Sequence, residues 1–197
     1  MKQVLVINGG TSYGSYESYI EHLKNMSFDY ERLKPTQKWR DWLPSALPDV
    51  DVLVHEFPNK NNAQYEEWKI TFEKILPLLT GEVTLVGYSL GAMFLAKYLN
   101  ATTLDKPVKN LVLIAPGYDD DSVEDLGSFA VESAVGIDKS ANTVHFFHSK
   151  DDPVSPFTEL AKFQRDVPTA ISHVFSDRNH FFQPTFPELV EIIQAEL

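Results

Sequence analysis

The stretch Val83-Thr84-Leu85-Val86-Gly87-Tyr88-Ser89-Leu90-Gly91-Ala92 constrains this chain more than any other. An apolar run of strand length enters Gly-x-Ser-x-Gly, and a helix rich in Ala and Leu leaves it. To expose Ser89 at the end of a buried strand, the backbone must turn sharply with strained dihedrals. Gly87 and Gly91 permit this, because no Cβ obstructs the approach of strand and helix. The helix N-terminus beside Ser89 leaves unpaired N–H groups that can bind a developing negative charge. The stretch reads as a nucleophilic serine on a strand–turn–helix.

The flanking sequence supplies a sheet to carry it. Further strand patterns lie at 3–7, 51–57, 108–115, 143–148 and 170–175, which with the run entering Gly87 makes six. Helical patterns lie at 15–26, 37–47, 157–166 and 186–197, and another leaves the Ser89 turn and runs to Asn100. One more carries Tyr65, Trp68, Phe72, Ile75 and Leu79 at three-to-four spacing, with Asn61 or Asn62 as its expected cap and Pro77 distorting its last turn. The segment 118–136 is acidic and then mildly helical. Strands alternating with helices predict an α/β fold, with a mostly parallel sheet covered on both faces. At 197 residues and 43% hydrophobic content, the expectation is one domain spanning 1–197.

Composition limits the chemistry. The chain has no cysteine, so disulfides and thiolate metal sites are not available to it. A net charge of −11 argues against a nucleic-acid surface. No apolar stretch approaches a membrane span, and Met1-Lys2-Gln3-Val4 runs directly into a strand pattern, so a cytoplasmic location is expected.

A serine hydroxyl needs a base to take its proton, and the base needs an acid to orient it. With the acid and histidine following the serine in chain order, His22 and His55 come too early, and His145 and His148 precede the best acid. His173 lies inside a strand pattern. His180 lies in Asp177-Arg178-Asn179-His180-Phe181, a loop at the end of the sheet where ligands bind parallel strands. For the acid, Asp152 in Asp151-Asp152-Pro153-Val154 has the best pattern, with Asp151 and the cluster Asp119, Asp120 and Asp121 as alternatives. The oxyanion donors expected are the backbone N–H of Leu90 and, from the loop after the first strand, that of Gly10.

These motifs together resemble the small serine hydrolases related to retinoblastoma-binding protein 9, within the α/β-hydrolase superfamily. The likeness rests on Val86-Gly87-Tyr88-Ser89-Leu90-Gly91-Ala92, on the run from Ser149 to Pro156, on Asn179-His180-Phe181, on Phe57-Pro58-Asn59 leading to Glu67-Trp68, and on Trp39-Arg40-Asp41-Trp42-Leu43. It implies the α/β-hydrolase fold with a minimal lid, Ser89 as nucleophile, Asp152 as acid and His180 as base, and carboxylic-ester hydrolysis. Asn8-Gly9 stands where many relatives have His-Gly, and Asn179 replaces their glycine. Residues 12–36 look like an insertion beside the oxyanion hole.

The expected activity is therefore hydrolysis of a small-molecule ester with no cofactor and no metal. The alternatives are acyl transfer by the same triad and a protein-binding module that retains the fold. Only 116–142 is available for a lid, which predicts short acyl groups. Tyr13, Tyr16 and Tyr19 of the insertion are candidates to line the pocket.

Overall fold

The computed structural model describes residues 1–119 and 125–195. Six parallel strands form one sheet in the order β2-β1-β3-β4-β5-β6. They are β1 (Lys2–Ile7), β2 (Val50–His55), β3 (Glu82–Tyr88), β4 (Val108–Ile114), β5 (Ala141–Ser149) and β6 (Ile171–Phe175). The helices are α1 (Tyr16–Asn25), α2 (Trp39–Ala46), α3 (Tyr65–Ile75), α4 (Leu90–Ala101), α5 (Glu159–Asp166) and α6 (Pro187–Gln194). This is the α/β-hydrolase fold.

The four central strands are apolar on both faces, and their alternation sorts the residues into two cores. Leu5, Ile7, Leu85, Leu111, Leu113 and Phe146 point to one face, where Trp68 and Phe72 of α3, Phe94 of α4 and Phe163 of α5 cover them. Val4, Val6, Val86, Val112, Ile114 and Phe147 point to the other, under Trp39 and Leu43 of α2 and Leu189 and Ile193 of α6. Apolar burial on both sides is the main stabilising term and fixes the register of each strand.

The topology also places the site. The chain passes from β1 outward to β2 and then returns past β1 to β3, so the winding reverses between β1 and β3. Their carboxyl ends open a crevice at this reversal, the position where open α/β sheets bind ligands. The loop Asn8-Gly9-Gly10 leaves β1 there, and Ser89 leaves β3 beside it, in a register that pairs Ile7 with Gly87.

Two local details depart from the sequence pattern. Asn61 and Asn62 do not cap α3: its N-cap is Gln64, with no side-chain bond. The N–H of Tyr65 instead donates to Ser128 Oγ at 3.0 Å, a partner 63 residues away. Between β4 and β5 the described residues hold only short 3₁₀ turns, Gly127–Phe129 and Ile137–Ser140, where a helical segment was expected. Pro77 acts as its position predicts, since α3 ends at Ile75 and a 3₁₀ turn spans Leu76–Leu78.

Candidate active site

Ser89 sits on the turn between β3 and α4 with φ 53° and ψ −120°, a conformation that non-glycine residues rarely adopt. Its N–H is held by Ile114 O at 2.8 Å, and its carbonyl accepts from Ala92 and Met93 N–H at 2.9 and 3.2 Å. The flanking glycines are required by contact. A Cβ on Gly87 would meet Ala92 Cα at 2.6 Å, and one on Gly91 would overlap the carbonyl of Ile7.

The structure brings Ser89, His180 and Asp152 together from three separate loops. His180 Nε2 lies 2.9 Å from Ser89 Oγ, and its Nδ1 lies 2.8 Å from Asp152 Oδ2 and 3.0 Å from Oδ1. Both the histidine and the aspartate side chains are almost wholly buried. Asp152 Oδ1 also accepts from the N–H groups of Val154 and Ser155 at 2.8 and 2.9 Å, which locks the carboxylate's orientation. Ser155 Oγ in turn donates to Ala115 O at 3.0 Å and ties the loop after β5 to the end of β4. With Nδ1 donating to the carboxylate, Nε2 faces Ser89 as an acceptor, the tautomer a general base needs.

The loop carrying His180 is held by groups whose part the sequence did not show. Tyr88 Oη donates to the carbonyl of His180 at 2.7 Å, and the two rings lie 5.4 Å apart. Asp151, the neighbouring acid, is exposed and does not reach His180; its carboxylate accepts from Asn179 N–H at 3.0 Å and from the Ser149 hydroxyl. The Ser149 contact comes first among the causes that hold the Asp151 carboxyl below the usual carboxylate range. Ser149 Oγ accepts from Arg178 N–H at 3.1 Å, so the two residues preceding His180 are anchored to the last residue of β5 and to the loop that follows it. Asn179 and Phe181 flank His180 at φ 47° and 55°, and Ala115 at the end of β4 has φ 47°. Asp119 is ion-paired with Lys162 away from this cluster, and Asp120 and Asp121 lie outside the described residues.

Two spaces adjoin Ser89. A cleft of about 780 Å³ is walled by Gly9, Thr36, Lys38, Arg40, His180 and Phe182, among others. On the other side is a small recess of about 10 Å³, lined by Gly10, Leu90, Met93, Asp125, Leu126 and Val154, among others. Such a recess has room for about one water-sized group. As the first residue of α4, Leu90 has an N–H with no acceptor inside the helix. The loop bearing Gly10 is pinned by Thr11 N–H to Lys60 O at 2.8 Å and by Ala63 N–H to Thr11 O at 2.8 Å. Tyr13, Tyr16 and Tyr19, expected to line the pocket, line neither space. They make tilted ring contacts with one another at 5.4 and 6.1 Å, Tyr13 just ahead of α1 and Tyr16 and Tyr19 on it, and α1 has no buried residue. Among the described residues of the insertion, Ser12 lines the recess and Thr36 the cleft.

The other histidines stand apart. His145 and His173 pair ring to ring at 3.1 Å on β5 and β6. His148 is fully buried behind the loop after β5, and neither ring nitrogen has a protein hydrogen-bond partner among the described residues. Burial pushes its pKa down to about 4. No group of three or more His, Asp or Glu side chains among the described residues is placed to hold a metal ion. Nor is any helix among them long and apolar enough to cross a membrane. A second cleft of about 670 Å³ opens at the opposite end of the sheet, and no serine or histidine lines it.

Comparison with known proteins agrees with this architecture. The ydeN gene product of B. subtilis superposes with a TM-score of 0.76 at 21% identity, covering 98% of this chain and 97% of its own. A YdeN-like hydrolase from Pectobacterium atrosepticum gives 0.65 at 16% identity, over 98% and 91% of the two chains. An esterase of Pyrococcus furiosus gives 0.59 at 16%, over 98% and 82%. No curated protein sequence matches. The family model described as serine hydrolase matches residues 30–181, a span that begins before α2 and runs through Ser89, Asp152 and His180 to Phe181. A match of that extent covers well over half the chain, and by it the chain belongs to the serine hydrolase family.

Proposed function

We propose that this protein hydrolyses carboxylic esters, with Ser89 as nucleophile, His180 as general base and acid, and Asp152 as the residue that orients the imidazole. The observation that carries the reading is the continuous line Ser89 Oγ, His180 Nε2, His180 Nδ1, Asp152 Oδ2, at 2.9 and 2.8 Å. Ser89 Oγ attacks the ester carbonyl and its proton passes to His180 Nε2. The tetrahedral oxyanion is held by the N–H groups of Leu90 and Gly10. His180 then gives the proton to the departing alkoxide, which leaves as the alcohol, and Ser89 carries the acyl group. A water attacks next, its proton passing through His180 to Ser89, and the carboxylic acid is released.

The two spaces divide the substrate. His180 must protonate the leaving oxygen, and it lines the cleft and not the recess. The alcohol limb therefore lies in the cleft, and the acyl limb faces the recess. A recess that small supports short acyl groups. The sequence motifs around Ser89, Asp152, His180 and Trp39 support placing the chain beside the hydrolases related to retinoblastoma-binding protein 9, from which the insertion at 12–36 sets it apart.

Labelling intact protein with a fluorophosphonate, together with p-nitrophenyl acetate turnover, tests the reading. Ser89→Ala should abolish labelling and reduce turnover by on the order of 10⁶-fold, and adding a His180 substitution should change little more, because the residues act as a unit. Retention of most activity by Ser89→Ala would refute it.

A further inference from the structure

The walls of the cleft contradict the charge of the chain. The protein carries 28 acidic against 17 basic residues, yet the cleft beside Ser89 has Lys38 and Arg40 in its wall and no carboxylate. Among the described residues, neither Lys38 Nζ nor the Arg40 guanidinium forms an ion pair or a side-chain hydrogen bond with an acid. The nearby acids are engaged elsewhere. Asp41 accepts the backbone N–H of Lys38 at 3.1 Å, and Glu56 pairs with Lys60 at 2.6 Å.

The two cations also lie near enough to feel each other, Arg40 half-buried and Lys38 exposed at the rim of the cleft. Burial, and then the charge of Arg40, push the Lys38 ammonium below its ordinary value against the opposing pull of Asp41 and Glu56. Their segment is fixed in place. The N–H of the intervening Trp39 donates to Gln183 O at 3.2 Å, and its ring is buried edge-on against Tyr88 at 5.9 Å and Phe186 at 5.7 Å. A guanidinium and an ammonium presented from one clamped turn, with no acid of their own, fit an anionic group on a bound ligand.

This deepens the proposed ester hydrolysis and rests on it. We propose that the substrate is an ester of a short carboxylic acid whose alcohol limb bears a carboxylate or phosphate, held by Lys38 and Arg40 in the cleft while the carbonyl lies at Ser89. The acyl side gains nothing from these charges, because the recess that faces it contains neither residue.

The test compares near-isosteres that differ in charge. 4-Acetoxybutanoate and 2-acetoxyethyl phosphate carry the anion, 4-acetoxybutanamide is neutral, and acetate release is followed by proton NMR. The readout is the ratio of kcat/KM for anion over amide, not either rate alone. The expected ratio at low salt is on the order of tenfold, expressed in KM, for two partly screened charge contacts. It should shrink between 0.05 and 0.5 M KCl as screening grows. It should fall towards one in the Lys38→Met, Arg40→Met double variant and persist in Lys38→Arg. Whichever anion gives the larger ratio identifies the group held.

A ratio near one for both anions, with all three esters cleaved, overturns the inference and leaves the ester hydrolase standing. A ratio that survives both salt and the double variant overturns it too. Cleavage of none of the three by protein that fluorophosphonate labels at Ser89 rejects this substrate class. Failure of the labelling itself removes the serine-hydrolase mechanism beneath it.

Discussion

His148 makes the fold sensitive to mild acid in a way that can be measured. Its imidazole is fully buried, no protein group satisfies either nitrogen among the described residues, and its pKa falls from an ordinary 6.5 to about 4. Burial is the dominant cause; the nearby Asp152 pulls the other way, and His180 adds to the lowering. The sign follows from proton counting. Between pH 6.5 and 4 the unfolded chain has bound this proton and the folded chain has not, so acid favours unfolding. Stability from His148 is fully present above pH 6.5 and is lost as pH falls through that window. Integrating from pH 7.5 to 5 gives a loss of about 2 kcal/mol for this one residue. Carboxylates titrate over part of the same range, so a variant is needed as the reference. His148→Leu keeps a similar volume, removes the titration and leaves no polar atom unpaired. Urea unfolding of both proteins at pH 7.5 and 5 measures the difference. The wild type should lose about 2 kcal/mol more than the variant, a relative midpoint shift of about 1 M for the usual urea dependence. Equal losses in the two proteins would mean that the ring takes up its proton as readily in the fold as in the unfolded chain, which would refute this origin of the acid sensitivity.

Three other outcomes follow from the site. Asp152→Asn should reduce ester turnover by about 10⁴-fold, as expected when the imidazole loses its orienting carboxylate, whereas Asp151→Asn should have a far smaller effect through the Asn179 anchor; steady-state rates at one pH compare them. Tyr88→Phe removes the 2.7 Å bond to the His180 carbonyl and should lower stability by about 1 kcal/mol, read by denaturant unfolding, with a fall in kcat and little change in KM. Met93→Ala enlarges the recess beside Ser89, so kcat/KM for p-nitrophenyl butyrate relative to acetate should rise; an unchanged ratio would place the acyl chain elsewhere.

The sequence was informative where structure is local and uninformative where contacts are remote. The turn at Ser89 is legible because its glycines, strand and helix all lie within a short stretch and each has one physical purpose. Asp152 and His180 were readable by their position just beyond strands, since the sheet brings strand ends together. The anchoring by Asp151 and Ser149 was not legible: an aspartate in a turn looks the same whether it faces water or a loop 28 residues away. The start of α3 failed for the same reason, because Ser128 supplies what a local asparagine was expected to give. The tyrosines of the insertion were misplaced because aromatic spacing reports that a helix has a face but not what that face meets.

Among the described residues, Ser89, Ala115, Asn179 and Phe181 are four of the five non-glycine positions with positive φ, and all lie at the carboxyl end of the sheet. Each such residue carries on the order of 1–3 kcal/mol of backbone strain, with asparagine at the low end. Together they approach the whole net stability of an ordinary domain. Selection for heat resistance alone would therefore act on this rim first, replacing these residues with glycine and relaxing the loops. A library screened only for melting temperature should enrich sequences that have erased their own turnover. Directed evolution of this scaffold needs an activity screen from its first round.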